Sequence, residues 1–334
     1  MDRIKQLIAA AVVAAALVAG SAQAERWDSI QQTGRLSVAL YDDLAPYSCQ
    51  NLDGRLVGVD LDLARALAER LGLELDLVPF GGGDSMSEDF EMLRESPPAG
   101  EWEPASREVA ADVMLHVPLD PLLSERNPEV QILAPYYHES MAVLYDNVAL
   151  GELPTQITDP QPFVGHRLGV EMYSLSYVFL TNGFNGQLRA GVANHKSVPA
   201  AVTALLNGEV SAVFGTRTEL QNALAAHTSP RPGLAMSDLG NLFSTNRVRS
   251  SWAVGLAIAD GNPQLAAQLR QAMEQLDADG TIEDIFANYG IPLVRPGDLG
   301  ELIPHADGAG STGITRSGLD RQQLCRTTVN AGLL

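Results

Sequence analysis

Apolar residues along this chain fall into short runs separated by turn signals, and the first well-defined period begins at Leu36. The run Leu36 to Tyr41 (LSVALY) predicts a buried strand. A loop through Pro46 and Tyr47 follows. Leu61, Leu63, Ala64, Leu67, Ala68 and Leu71 then recur at helical spacing, and Asp60, Asp62, Arg65, Glu69 and Arg70 are expected on the wet side. Gly72 stops this helix, and a second strand runs to Phe80. Strand, loop, helix and strand make a βαβ unit, so the predicted class is α/β with a crevice at the strand carboxyl ends.

Gly81 to Val109 is rich in Gly, Pro and acid and reads as an inserted surface loop with a short helix around Glu88 to Arg94. The core pattern returns in the strand from Ala111, in Val130 to Tyr137, and in Ser140 to Asp146, which could carry the chain into a second lobe. From Gly165 the pattern restarts: a strand, a helix opened by Ser174, and a helix and strand from Ser197 to Thr216. Ser250 to Ile258 reads as a strand returning to the first lobe. A helix capped at Asn262, with Pro263 in its first position, and a shorter one from Thr281 close the pattern. The expected division is 25–143 for the first part of lobe 1, with loop 81–109 inserted, 144–246 for lobe 2, 247–295 for the return, and 296–334 for an irregular tail.

Composition narrows the setting. Residues 1–24 carry Arg3 and Lys5, an apolar run from Leu7 to Ala19, and Ala22-Gln23-Ala24, which together read as a secretory signal peptide. No later run is apolar enough and long enough to span a bilayer, so the expected location is the periplasm. A formal net charge of −19 disfavours nucleic acid and anionic lipid and more easily accommodates a cationic ligand or a basic partner, although acidity for solubility explains it at least as well. The two cysteines, Cys49 and Cys325, predict one disulfide in an oxidising compartment. No metal-binding spacing, nucleophile elbow, P-loop or dinucleotide fingerprint is present, so neither cofactor nor catalysis is expected.

Five blocks in order carry a resemblance: DGRLVGVDLDLARALAERLGLEL from Asp53, ADVMLHVPLDPLLSERNPEVQILAPYY from Ala111, RLGVEM from Arg167, ALLNGEVSAVFG from Ala204, and NPQLAAQLRQAMEQLDADGTIEDIFANYG from Asn262. The chain resembles the periplasmic solute-binding proteins of the amino-acid type, which hand a ligand to an ABC transporter. The resemblance implies the two-lobe type II binding-protein fold, with a hinge, a cleft for one small molecule, and a transporter permease as partner. Asp112 to Pro118 followed by Pro135-Tyr136-Tyr137 also looks like a subgroup encoded beside quinoprotein alcohol dehydrogenases, which offers a dehydrogenase as alternative partner. Cyclohexadienyl dehydratases share the fold, and for that reading His116 with Glu171 is the pair to test.

By the same resemblance Arg126 is the candidate to hold a ligand carboxylate, a task suited to a planar guanidinium. Its alternative is a solvated loop arginine, with Asp120 as a possible ion-pair partner. Thr216 stands where relatives place an aspartate for the ligand amine, and Asp42 or Asp43 could replace that charge. Tyr47 follows Pro46 at a strand-to-helix loop and either faces the cleft or packs under Cys49. Ser174 and Ser176 precede or open a helix, where hydroxyls and free amides hold an anion or simply cap. His116 interrupts an apolar strand near its end, as a core histidine or as a ligand contact.

Overall fold

The computed structural model describes residues 26–51, 53–83, 85–93, 111–172, 174–227, 232–240 and 250–296. The proposed leader 1–24, the tail beyond Pro296, Cys325 and most of the inserted loop lie outside the described residues. In chain order the elements are α1 (Arg26–Thr33), β1 (Arg35–Tyr41), β2 (Asp43–Leu44), β3 (Ser48–Gln50), β4 (Leu56–Val57), α2 (Val59–Leu71), β5 (Glu74–Phe80) and α3 (Met86–Asp89). Then come β6 (Val113–Pro118), α4 (Pro121–Arg126), β7 (Val130–Asp146), α5 (Asn147–Leu150), β8 (Leu168–Glu171), α6 (Leu175–Asn182), β9 (Val192–His195) and α7 (Val198–Leu206). The last are β10 (Ala212–Thr216), α8 (Arg217–Ala225), β11 (Leu234–Asp238), β12 (Ser251–Ala259), α9 (Pro263–Ala278) and α10 (Thr281–Asn288).

The first βαβ unit forms as its pattern predicts. β1 pairs in parallel with β5 on one edge and with β6 on the other. Gly72, at φ 70°, caps α2 in the left-handed conformation that glycine adopts without strain. Leu63 and Leu67 of α2 are fully buried beneath the sheet, each worth about 1.5–3 kcal/mol relative to an exposed side chain. Asp60 departs from the pattern: it was expected in water, yet it is fully buried in the first turn of α2. A helix amino terminus favours a carboxylate, and hydrogen bonding offsets the desolvation.

The sheet order is β5-β1-β6-β12-β7-β10-β8-β9, with β11 also paired to β7. Antiparallel β7 and β12 lie between two parallel groups. β7 is 17 residues long, roughly 55 Å at about 3.3 Å per residue, and serves both lobes. Tyr137 packs in one core with Leu36, Leu115 and Phe286, whereas Met141 packs in another with Phe163, Val170 and Phe214. Trp252 of β12 touches both cores from the neighbouring strand. Each lobe is therefore a mixed sheet flanked by helices, and the chain crosses between them on β7 and β12.

Candidate functional site

Parallel α/β sheets place their ligands outside the carboxyl ends of their strands, which here are the ends of β1 and β6 in the first lobe and of β8 and β10 in the second. Tyr47 lies in the loop before β3, buried, and the start of α2 holds that loop in place. The Asp60 amide donates to the Tyr47 carbonyl at 2.8 Å, and a Cβ on Gly58, whose φ is 136°, would stand 2.2 Å from that oxygen. The unsatisfied amides of a helix start thus fix the loop, and only glycine permits the approach.

His116 arrives by a different device. Between Gly255 and Ala257 of β12 the pairing with β6 shifts register, and His116 adopts φ 62° in the extra space. A β-bulge of this kind turns one side chain away from the ladder's alternation. The imidazole packs against Tyr47 with ring centroids 4.0 Å apart and planes tilted by 43°. Its Nδ1 stands 3.1 Å from Asp60 Oδ2, near enough for charge attraction but not aligned as a hydrogen bond. The other Asp60 oxygen accepts the Tyr136 hydroxyl at 2.8 Å.

Behind His116 lies a buried polar cluster at the lobe crossing. The Tyr47 hydroxyl donates to Glu139 Oε2, and the Ser140 amide donates to Oε1 at 2.9 Å. The hydroxyls of Tyr137 and Thr218 share a hydrogen bond of 2.7 Å, tying β7 to α8 of the second lobe. Burial pushes the Glu139 carboxyl up to about 7 despite its donors, and burial likewise raises the Tyr47 phenol well above its usual value.

The second lobe contributes two more acids. Glu171 ends β8; burial, then the charges of Glu219 and Asp43, push it up to about 7. Glu219 sits in the first turn of α8 and accepts the amide and hydroxyl of Thr216, completing a capping box. Burial raises its carboxyl, partly offset by those two bonds. Among the described residues neither Glu171 nor Glu219 forms an ion pair with a lysine or arginine. The charge of Glu219 thus acts on Glu171, and among the described residues neither has a lysine or arginine as counter-ion, while the His116 imidazole lowers the Glu219 carboxyl.

The residues singled out from sequence separate into groups. Tyr47 and His116 come together, and Tyr47 turns towards His116 and Glu139. Thr216 and Ser174 both cap: the Ser174 hydroxyl accepts the Tyr177 amide at 3.2 Å and donates to the Glu171 carbonyl at 2.7 Å. Ser176 is buried in α6. Arg126 ends α4, exposed, with no ion pair among the described residues. Asp120 does not neutralise it; its carboxylate accepts the Leu122 and Leu123 amides, where an N-cap is more favourable than an exposed ion pair. Cys49 is buried and disulfide-bonded.

Sequence reasoning missed Asp60, Tyr136, Tyr137, Glu139, Thr218 and Glu219. One signal was available: Tyr136-Tyr137-His138-Glu139 is a polar run at the join of two segments expected to be core, Val130 to Tyr137 and Ser140 to Asp146. Buried polar runs need partners, and here the partners come from other elements.

The two-lobe architecture and the double crossing on β7 and β12 are those of the type II periplasmic binding-protein fold. Residues 36–91 match the family model described as bacterial extracellular solute-binding proteins, family 3. Among curated relatives, the L-cystine-binding protein TcyJ of Escherichia coli is 23% identical over 83% of this chain and 92% of its own length. The putative ABC transporter arginine-binding protein 2 of the same organism is 25% identical over 73% of this chain and 86% of its own. A cyclohexadienyl dehydratase of Pseudomonas aeruginosa is 39% identical, but over 77 residues, 22% of this chain and 29% of that enzyme. Two solved structures share the fold: an ancestral cationic amino acid solute-binding protein (TM-score 0.58, 18% identity, 78% of this chain and 96% of that one), and an L-arginine-bound amino acid ABC transporter substrate-binding protein of Streptococcus pneumoniae (TM-score 0.52, 20% identity, 77% and 95%). Among the described residues no helix is long and apolar enough to cross a membrane.

Proposed function

We propose that the protein captures a small amino-acid-type solute bearing a positive group and presents it to an ABC transporter permease after export to the periplasm. The observation that carries this reading is the pair Glu171, at the carboxyl end of β8, and Glu219, in the first turn of the helix after the neighbouring parallel strand β10, each raised by burial and, for Glu171, further by the other's charge. A guanidinium or ammonium group supplies the missing counter-charge, and an arginine-bound neighbour and arginine-binding relatives support the same class. Arg126 is the candidate for the solute's carboxylate, at the exposed end of α4 beyond β6. Capture and lobe closure, rather than a chemical step, are the event this site serves.

Calorimetric titration of the Glu171→Gln protein tests the assignment. Loss of a charged hydrogen bond costs about 1.5–3 kcal/mol, so affinity for a cationic amino acid should fall roughly tenfold or more. An unchanged affinity removes Glu171 from the site, and an Arg126→Ala protein that binds as tightly as the parent removes Arg126.

A further inference from the structure

Asp60 is fully buried in the first turn of α2, and its two carboxylate oxygens have different surroundings. Oδ1 accepts the Tyr136 hydroxyl at 2.8 Å, and Tyr136 is itself buried. Oδ2 is buried with no hydrogen-bond donor aligned on it. Its neighbour is His116 Nδ1 at 3.1 Å, also buried and also without an aligned partner. Among the described residues no lysine or arginine forms an ion pair with Asp60. The other edge of the imidazole differs: the His116 side chain keeps 14% exposure, and Nε2 is neither sealed from water nor bonded among the described residues.

A lone pair on Nδ1 would face the lone pairs of a carboxylate oxygen, in an interior where low dielectric makes such repulsion costly. A proton on Nδ1 turns the same approach into attraction between a donor and a carboxylate. The surroundings hold the ring in place for it: His116 adopts φ 62° at the register shift against β12, and the Tyr47 ring packs on it at 4.0 Å. Tyr136 fixes the carboxylate from the other side.

We infer that Asp60 is a positioning residue for the solute site: it holds neutral His116 as the Nδ1–H tautomer, so that Nε2 presents its lone pair as an acceptor near the carboxyl end of β6. The inference rests on the binding reading above and adds His116 to its acceptors. Carboxylate and neutral imidazole together carry the negative charge of the carboxylate. The group that Nε2 receives is therefore an N–H donor, an ammonium or a guanidinium, which is the chemistry that suits Glu171 and Glu219. A ligand carboxylate would meet a lone pair there.

The test is a nitrogen magnetic-resonance spectrum of the ligand-free protein, isotope-labelled in its imidazole rings, at pH 8.5, above the ordinary histidine value of about 6.5. The signals of His116 are those missing from the His116→Gln protein. The expected result is a proton on Nδ1 and none on Nε2, the reverse of the tautomer that histidine prefers free in water. Asp60→Leu combined with Tyr136→Phe removes the carboxylate and its donor together, so that neither is left buried and unpaired. In that protein the Nδ1–H tautomer should give way, and calorimetric affinity for L-arginine should fall roughly tenfold or more. His116→Leu should lose affinity by a similar factor. His116→Gln, whose side-chain oxygen reaches the Nε2 position, should keep most of it, and this pair carries the binding test if the double variant fails to fold. A parent with its proton on Nε2 or on both nitrogens, a double variant that keeps Nδ1–H, or a His116→Leu protein that binds as tightly as the parent overturns the inference. The spectrum needs no solute, so a parent that shows Nδ1–H yet binds no cationic amino acid sinks the solute reading and leaves the hold of Asp60 on His116 standing. A parent that binds L-arginine with Nε2 protonated sinks this inference alone.

Discussion

Asp60 was assigned to water because it sits opposite the apolar stripe of its helix, and that assignment failed at one atom's depth: the first turn of α2 is covered by Tyr136 and His116, elements about 76 and 56 residues away in sequence. Helical periodicity reports which face of a helix meets its sheet, not what a distant strand lays across its end. A Tyr136→Phe protein leaves a buried carboxylate oxygen without its donor, at a cost of about 1–3 kcal/mol in urea unfolding. A cost near zero would mean that another donor, such as water, replaces the Tyr136 hydroxyl. Glu139 carries a second expectation. Its carboxyl is raised on folding, so the native state favours the protonated form; this contribution is intact below the unfolded value, is lost as pH rises to about 7, and is constant above that. The stability of Glu139→Gln relative to the parent should therefore rise across that window, by on the order of 3 kcal/mol at most, and a difference independent of pH would contradict the shift.

Elements were more legible than their ends. The βαβ unit, the Asn262 helix start with Pro263, and the strands of the second lobe follow from period and punctuation that a single sequence displays. The bulge that turns His116 was not legible, because it depends on register against β12, about 140 residues downstream. Ser174 and Thr216 could be seen at helix starts, but not that the first capped through Tyr177 while the second drew Glu219 into a capping box. Gly58 ties element to site. Gly58→Ala would press a methyl group into the Tyr47 carbonyl at an unfavourable φ, displacing the loop. The expected result is a loss of stability of about 2 kcal/mol or more together with weakened solute binding, read by calorimetry. Wild-type affinity in a folded Gly58→Ala protein would show that the position of Tyr47 does not matter to the cleft.

At the scale of the molecule, net charge −19 excluded some partners without identifying any. The fold brings Glu171 near enough to Glu219 for its charge to act there, and gives neither a lysine or arginine partner among the described residues; that pair is the proposed site. The resemblance placed the missing acid at Thr216; the structure supplies one three residues later, in a position that spacing alone would assign to a helix cap. Selectivity for positive charge is the central claim. It is tested most directly by isothermal titration at pH 7.5 with L-arginine and L-lysine against L-glutamate and L-alanine. The account predicts saturable binding of the cationic amino acids, weakened by Glu171→Gln, and none of L-glutamate. Tighter binding of L-glutamate, or of L-alanine, would contradict it.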